Sequence, residues 1–142
     1  MSEHLSDDVK RTVVERGNYC CEYCLTPSRY SSDPLSVEHI VPRARGGPSE
    51  MENLAAACQG CNNFKFVATH AVDPVTGATV PLYHPRQHVW PDHFAWNEDV
   101  TIILGRTPTG RATVERLRLN RPGVVNLRRV LALAGRNRPQ QA

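Results

Sequence analysis

Three signatures follow one another between residues 21 and 65: CEYC at Cys21–Cys24, SVEHIVPRARGG at Ser36–Gly47 and ENLAAACQGCNNFK at Glu52–Lys65. Two Cys-x-x-Cys pairs, Cys21/Cys24 and Cys58/Cys61, thus bracket a short apolar run ending in Glu38-His39, and the second pair runs straight into Asn62. A two-residue spacer lets both thiolates of a pair face one ion at Zn–S distances of ~2.3 Å, and two pairs complete a tetrahedral shell with no place left for water. Such a centre holds a fold together and performs no chemistry. The same cysteines can instead form two disulfides, but nothing in the chain resembles a secretory signal, so a reducing, cytoplasmic setting and zinc are expected. Cys20 is out of register with Cys24 and reads as a buried or semi-exposed thiol.

Leu35, Val37 and Val41 alternate with Ser36 and Glu38, the period-two pattern of a short strand, and Pro42 ends it by removing a ladder donor. Arg43 to Pro48, RARGGP, forms a basic, glycine-rich loop. Asn53-Leu54-Ala55-Ala56-Ala57 is expected to be a second strand although alanine favours helix, because a hairpin returns Cys58 to the side of Cys21. From about Gly60 a helix should carry Asn62, Lys65 and Phe66, with Asn62 facing the tip of the Glu38-His39 strand.

Taken in order, Cys-x-x-Cys, Glu-His-Ile-x-Pro, Gly-Gly, Asn-Leu and Cys-x-x-Cys-Asn-x-x-Lys resemble the HNH endonucleases, closely so over residues 16 to 66. The resemblance implies an α+β fold: a treble-clef-like ββα-metal finger with structural zinc and an aromatic and helical C-terminal extension. It implies His39 as general base, Glu38 and Asn62 as ligands of a catalytic divalent ion (Mg²⁺ or Mn²⁺), and Asn53 as the residue orienting the histidine loop. Arg43, Arg45, Lys65 and Arg86 are the expected nucleic-acid contacts. Two departures stand out: Glu38 replaces a commoner aspartate, and Phe66 replaces a glycine that often follows the lysine, with an effect expected on packing only.

Phosphodiester hydrolysis explains why these residue types belong together. A neutral imidazole with an ordinary pKa of ~6.5 takes a proton from water near neutrality. A hard cation on a carboxylate and an amide oxygen polarises the phosphate and steadies the leaving oxygen. Strict alternation puts Glu38 and His39 on opposite faces, so a twist or bulge at the strand end is expected from the resemblance. Singly, a strand histidine, a turn asparagine and a carboxylate are ordinary residues; in this order, between two cysteine pairs, they favour the nuclease site.

The 142 residues, 40% hydrophobic with a net charge of +3, suit one domain with a modest core. No apolar run approaches membrane-spanning length. A single domain over 1–142 is expected, with a core at about 16–68, an extension at about 70–134 and a disordered tail at 135–142. Charge is uneven: residues 1–100 hold 8 Lys+Arg against 13 Asp+Glu, whereas residues 101–142 hold 9 arginines against one acid. That half suits a polyanion. Base composition of the gene, or pairing with the acidic half, explains the arginines equally well.

Ser6 is the expected cap of a helix whose Val9, Val13 and Val14 pack on the zinc knot before Gly17 stops it, with Met1 to Leu5 frayed. Asp73 to Gly77 reads as a turn, Val80 to Tyr83 as an edge strand, Val100 to Leu104 as a buried strand and Thr107 to Gly110 as another turn. Thr113–Leu119 and Val124–Leu133 carry helical apolar spacing. His84 to Trp96 is a cluster of histidine and aromatic residues open to three readings: a second metal site, a substrate surface, or a small core around Trp90, Phe94 and Trp96. DPVTG, HPR, WPDHFAW and GRATVERLRLN also resemble small bacterial or phage-type HNH proteins to about residue 131. On that resemblance Arg86 and His93 are candidates to touch the scissile region. The expected function is a divalent-metal-dependent DNA endonuclease, monomeric or a weak homodimer, with a non-catalytic zinc-containing nucleic-acid-binding module as the alternative.

Overall fold

The alternation at Leu35 becomes β1 (Leu35–His39), and the alanine run becomes β2 (Leu54–Cys58), paired antiparallel from Leu35 opposite Cys58 to His39 opposite Leu54. Every residue of β2 is buried, so tertiary packing overrides the helical preference of its three alanines. Their small side chains let layers approach on both faces. On one face lies α1 (Asp7–Arg16), capped by the Ser6 hydroxyl, which accepts from Val9 N at 3.1 Å. Its fully buried Val13 packs with Leu54 and Ala56, an apolar side chain worth roughly 1.5–3 kcal/mol on burial. The helix therefore packs on the hairpin rather than on the cysteine knot, and Leu5 joins that cluster instead of fraying.

On the other face lie the cysteines and α2 (Gln59–Lys65). This computed structural model describes residues 5–136, so Met1 to His4 and residues 137–142, including most of the expected tail, lie outside the description. β1, β2 and α2 form the expected ββα unit, and the chain is α+β with short strands.

The second half adds two further two-stranded sheets. β3 (His70–Val72) pairs with β4 (Thr79–Pro81) across the Asp73–Gly77 turn. After α3 (Trp90–His93), β5 (Phe94–Trp96) pairs with β6 (Ile103–Gly105), a shorter strand than the one expected from Val100. α4 runs Pro108–Leu117 and α5 Pro122–Leu133. The Thr107–Gly110 segment, expected as a turn, is the start of α4. The Thr107 hydroxyl accepts from Gly110 N at 2.9 Å and Pro108 occupies the first helical position.

Tyr83, Trp90, Phe94, Ile103, Leu117 and Leu119 share one core with the cysteines. No helix among the described residues is long and apolar enough to cross a membrane.

Candidate active site and metal centre

Cys21, Cys24, Cys58 and Cys61 are all buried, unbridged, and have their sulfurs within 4.8 Å of one another. Cys24 Sγ and Cys58 Sγ lie 3.8 Å apart, far beyond a disulfide and equal to the ~3.8 Å edge of a ZnS₄ tetrahedron built on ~2.3 Å bonds. The disulfide alternative is thereby removed, and the donor set fits zinc. Hydrogen bonds from Cys21, Cys58 and Cys61 pull the Cys24 thiol down, while burial pushes Cys21 up. Without a cation the cluster cannot ionise fully. A cation touches the sulfurs directly: Arg121 donates to Cys58 Sγ at 3.4 Å and to Cys61 Sγ at 3.5 Å. Gly60 makes room for it, since a Cβ there would stand 2.6 Å from the Arg121 guanidinium. Cys20 is buried apart from the cluster, its thiol donating to Asn18 O at 3.4 Å.

At the far end of β1, His39 Nε2 lies 2.8 Å from the Ser49 hydroxyl, which fixes the ring. The loop holding Ser49 is pinned by Asn53. That buried carboxamide accepts from Val41 N at 2.8 Å and donates to Val41 O at 3.0 Å and Pro48 O at 2.9 Å. Gly47 permits the closure, because a Cβ there would meet Val41 O at 1.7 Å. Pairing is regular through His39, so the expected bulge is absent and Glu38 and His39 stand on opposite faces.

Glu38 turns inward. It is 5% exposed, accepts from the Tyr23 hydroxyl, and faces Lys65 Nζ at 3.4 Å; Lys65 also donates to Ile40 O at 2.8 Å. Burial pushes the Glu38 carboxyl up, against the opposing pull of Lys65 and Tyr23. Lys65, expected to contact nucleic acid, is 1% exposed and takes no place on any surface. The correction has a physical cause: once the β1 carboxylate is buried, a cation must be buried with it. Asn62 stands half-exposed on the first turn of α2, its carboxamide without a hydrogen-bond partner among the described residues.

Arg86 is likewise drawn inward. It pairs with buried Glu22, whose other oxygen accepts from Ala56 N at 2.8 Å, so Arg86 braces the edge of β2. Arg43 is half-exposed, and Arg45 is exposed with its Nε donating to Val67 O at 2.6 Å. Of the expected nucleic-acid contacts, Arg43 and Arg45 thus remain at the surface of the histidine loop.

The His84–Trp96 cluster divides. Trp90 and Phe94 are buried with ring centroids 5.0 Å apart, and Trp96 stacks on Trp90 at 5.7 Å, which is the small-core reading. Trp90 Nε1 donates to Tyr23 O at 3.0 Å, tying this core to the first cysteine pair. His84 Nδ1 accepts from Arg86 N and Gln87 N, and His88 Nδ1 accepts from His84 N at 2.9 Å, so each neutral ring carries its proton on Nε2. That tautomer offers no Nε2 lone pair to a metal. His93 Nδ1 meets the Thr107 hydroxyl at 2.6 Å, outside the His39 loop.

Tyr23, Glu22, Ser49 and Arg121 are site-building residues that pattern reading passed over. Tyr23 and Glu22 occupy the two positions between the first cysteines, where only the spacing drew attention. Arg121 carried no local signal beyond the proline after it.

A hairpin ending in a loop-held histidine, backed by a helix and joined to a four-cysteine cluster that could bind zinc, makes up a ββα finger. Residues 21–65 match the model of the HNH endonuclease family. Over 53 residues, 37% of this chain, the sequence is 43% identical to the CRISPR-associated endonuclease Cas9 of Corynebacterium diphtheriae. The match spans 5% of that protein's length. No solved structure matches the chain.

Proposed function

We propose that the chain is an endonuclease that hydrolyses phosphodiester bonds in DNA, with His39 as general base, a structural zinc on Cys21, Cys24, Cys58 and Cys61, and a catalytic divalent ion, Mg²⁺ or Mn²⁺. The observation that carries this reading is the His39 loop: an imidazole held by Ser49 on a turn locked by Asn53, within a segment that matches a nuclease family.

His39 would remove a proton from the attacking water, and Ser49 would hold the ring in one orientation while it does so. Asn53 acts on the backbone of the loop, so it positions the base and does not touch the reacting atoms. The Glu38 carboxylate and the open Asn62 carboxamide are hard oxygen donors that fit a divalent ion in kind, with Lys65 as a competing cation beside Glu38. When bound, such an ion supplies Lewis-acid polarisation of the phosphate. Arg43 and Arg45, on the loop following the histidine, would approach the phosphate backbone on either side.

Incubating supercoiled plasmid with the chain in Mg²⁺ or Mn²⁺, alongside His39→Ala, tests the proposal. Metal-dependent nicking that the substitution abolishes supports it. An intact plasmid across the metal series, with binding retained, favours the non-catalytic zinc module instead.

A further inference from the structure

Phe66 occupies a position that costs the protein twice. Its ring is 70% exposed, so it contributes almost nothing to packing. Its backbone lies at φ 52 and ψ −122, and Ala68 N donates to Lys65 O at 3.0 Å across it. Those values describe the first central residue of a type II′ turn, a place that favours glycine and strains any residue with a Cβ. Such strain persists only where the surroundings over-determine it. Here they do: Arg45 Nε holds Val67 O at 2.6 Å, and Arg116 holds Phe64 O at 3.1 Å and Lys65 O at 3.4 Å. Lys65 itself is anchored in the interior on Glu38 and Ile40 O.

An exposed ring is thus displayed on a turn whose backbone two exposed arginines hold on the residues flanking it. It stands four residues after Asn62, whose carbonyl accepts the Phe66 N–H at 2.9 Å, and one residue after the lysine that meets Glu38. Interleaved cationic and aromatic side chains are how proteins hold single-stranded nucleic acid, the cations tracking phosphates and the ring stacking on a base.

We propose that Phe66 is a stacking platform for an unpaired nucleobase of the substrate strand, adjacent to the candidate active site. This rests on the nuclease reading above and adds a substrate class to it. Bases inside an intact duplex have both faces covered by their neighbours, so the platform selects single-stranded DNA, or DNA with an unpaired base at a flap, gap or bulge.

The test measures binding of a labelled single-stranded oligonucleotide and of the matching duplex by zinc-loaded protein carrying His39→Ala, without added Mg²⁺. Phe66→Gly should weaken single-strand binding about tenfold or more, leave duplex binding unchanged and raise the melting temperature by relieving the turn. Phe66→Trp should bind the single strand at least as well as the parent. The proposal is overturned if Phe66→Gly binds the single strand normally, loses both substrates equally, or melts lower than the parent. Nicking by the protein with His39 intact separates the two readings. A chain that binds through Phe66 without cutting removes the nuclease and keeps the platform; a chain that cuts while Phe66→Gly binds normally does the reverse.

Discussion

Replacing Lys65 by methionine leaves the Glu38 carboxylate buried without its cation, and the structure sets the size of the loss. The two charged groups are 3.4 Å apart with side chains 1% and 3% exposed, a separation worth about 5 kcal/mol at an effective dielectric of ~20. Breaking such a pair from one side costs roughly 3–5 kcal/mol, since the remaining charge stays desolvated. Lys65→Met should therefore lose about 3–5 kcal/mol at neutral pH, and Glu38→Gln a comparable amount because the ammonium keeps only Ile40 O. The double variant buries no charge at all. It should lie within about 2 kcal/mol of the parent, so the two losses fail to add by several kcal/mol.

Urea unfolding of the four proteins with zinc present measures this directly. The pH dependence follows from the raised Glu38 carboxyl. A carboxyl raised on folding favours the folded state below its unfolded value of ~4.3, and that advantage is lost as pH rises through the folded value. The Lys65→Met penalty should accordingly be large at neutral pH and shrink in acid, where Glu38 is protonated. A Lys65→Met protein within about 1 kcal/mol of the parent at pH 7, or single effects that simply add, would refute the buried-pair argument. The double variant also tests the ion: if Glu38 is its ligand, this protein folds but does not nick DNA.

Asn53→Ala removes three hydrogen bonds that lock the histidine loop, so nicking should drop at least tenfold, about the scale of a mis-set catalytic group, while zinc content holds. Equal activity would detach Asn53 from the site. Arg121→Leu strips the N–H donors from Cys58 and Cys61, and zinc should pass to a chelator at an affinity lowered roughly 10–100-fold. Unchanged chelator competition would make the contact incidental. Asp73 is held well below the usual carboxylate range, chiefly by Arg111, so its stabilisation is present above ~3.9 and lost as pH falls through the folded value. Asp73→Asn should therefore lower the melting temperature at neutral pH, with the gap from the parent closing only in strong acid; a gap already closed at pH 4 would count against the pairing.

Local spacing made the cysteine centre and the Ser6 cap legible, because both depend on residues within one turn of chain. The hairpin was legible only indirectly. Alanines at 55–57 carry no strand preference, and the inference came from having to return Cys58 to Cys21. What resisted reading was the identity of partners across space. Alternation put Glu38 and His39 on opposite faces, yet nothing local named Tyr23 and Lys65 as the groups that would meet Glu38. A lysine in a helix reads as a surface charge unless a buried acid is known to face it. Phe66 shows the converse: its place after the lysine looked like a packing detail, whereas the turn geometry makes it a matter of backbone strain.

The arginine-rich second half illustrates how far composition overstates a nucleic-acid surface. Arg111 pairs with Asp73, Arg121 reaches the cysteine sulfurs, and Arg128 is buried against Thr101 O and Leu119 O. Arg116 caps the carbonyls at the end of α2, and Arg118 lies over Phe64 at 4.9 Å from its centroid. Guanidinium groups suit this role, since several planar donors can satisfy several carbonyls where a helix ends. Much of the positive charge is therefore used to hold the extension together, through Arg111 and Arg128, or to join it to the finger, through Arg116, Arg118 and Arg121. Trp90 on Tyr23 does the same through a neutral bond, and Tyr23 in turn holds Glu38. Disturbing Trp90 or Arg116 thus reaches the candidate site through the groups that orient it. Under the proposed nuclease reading, the exposed Arg45 beside the histidine loop would therefore count for more in substrate contact than the arginines that pack within the extension or against the finger.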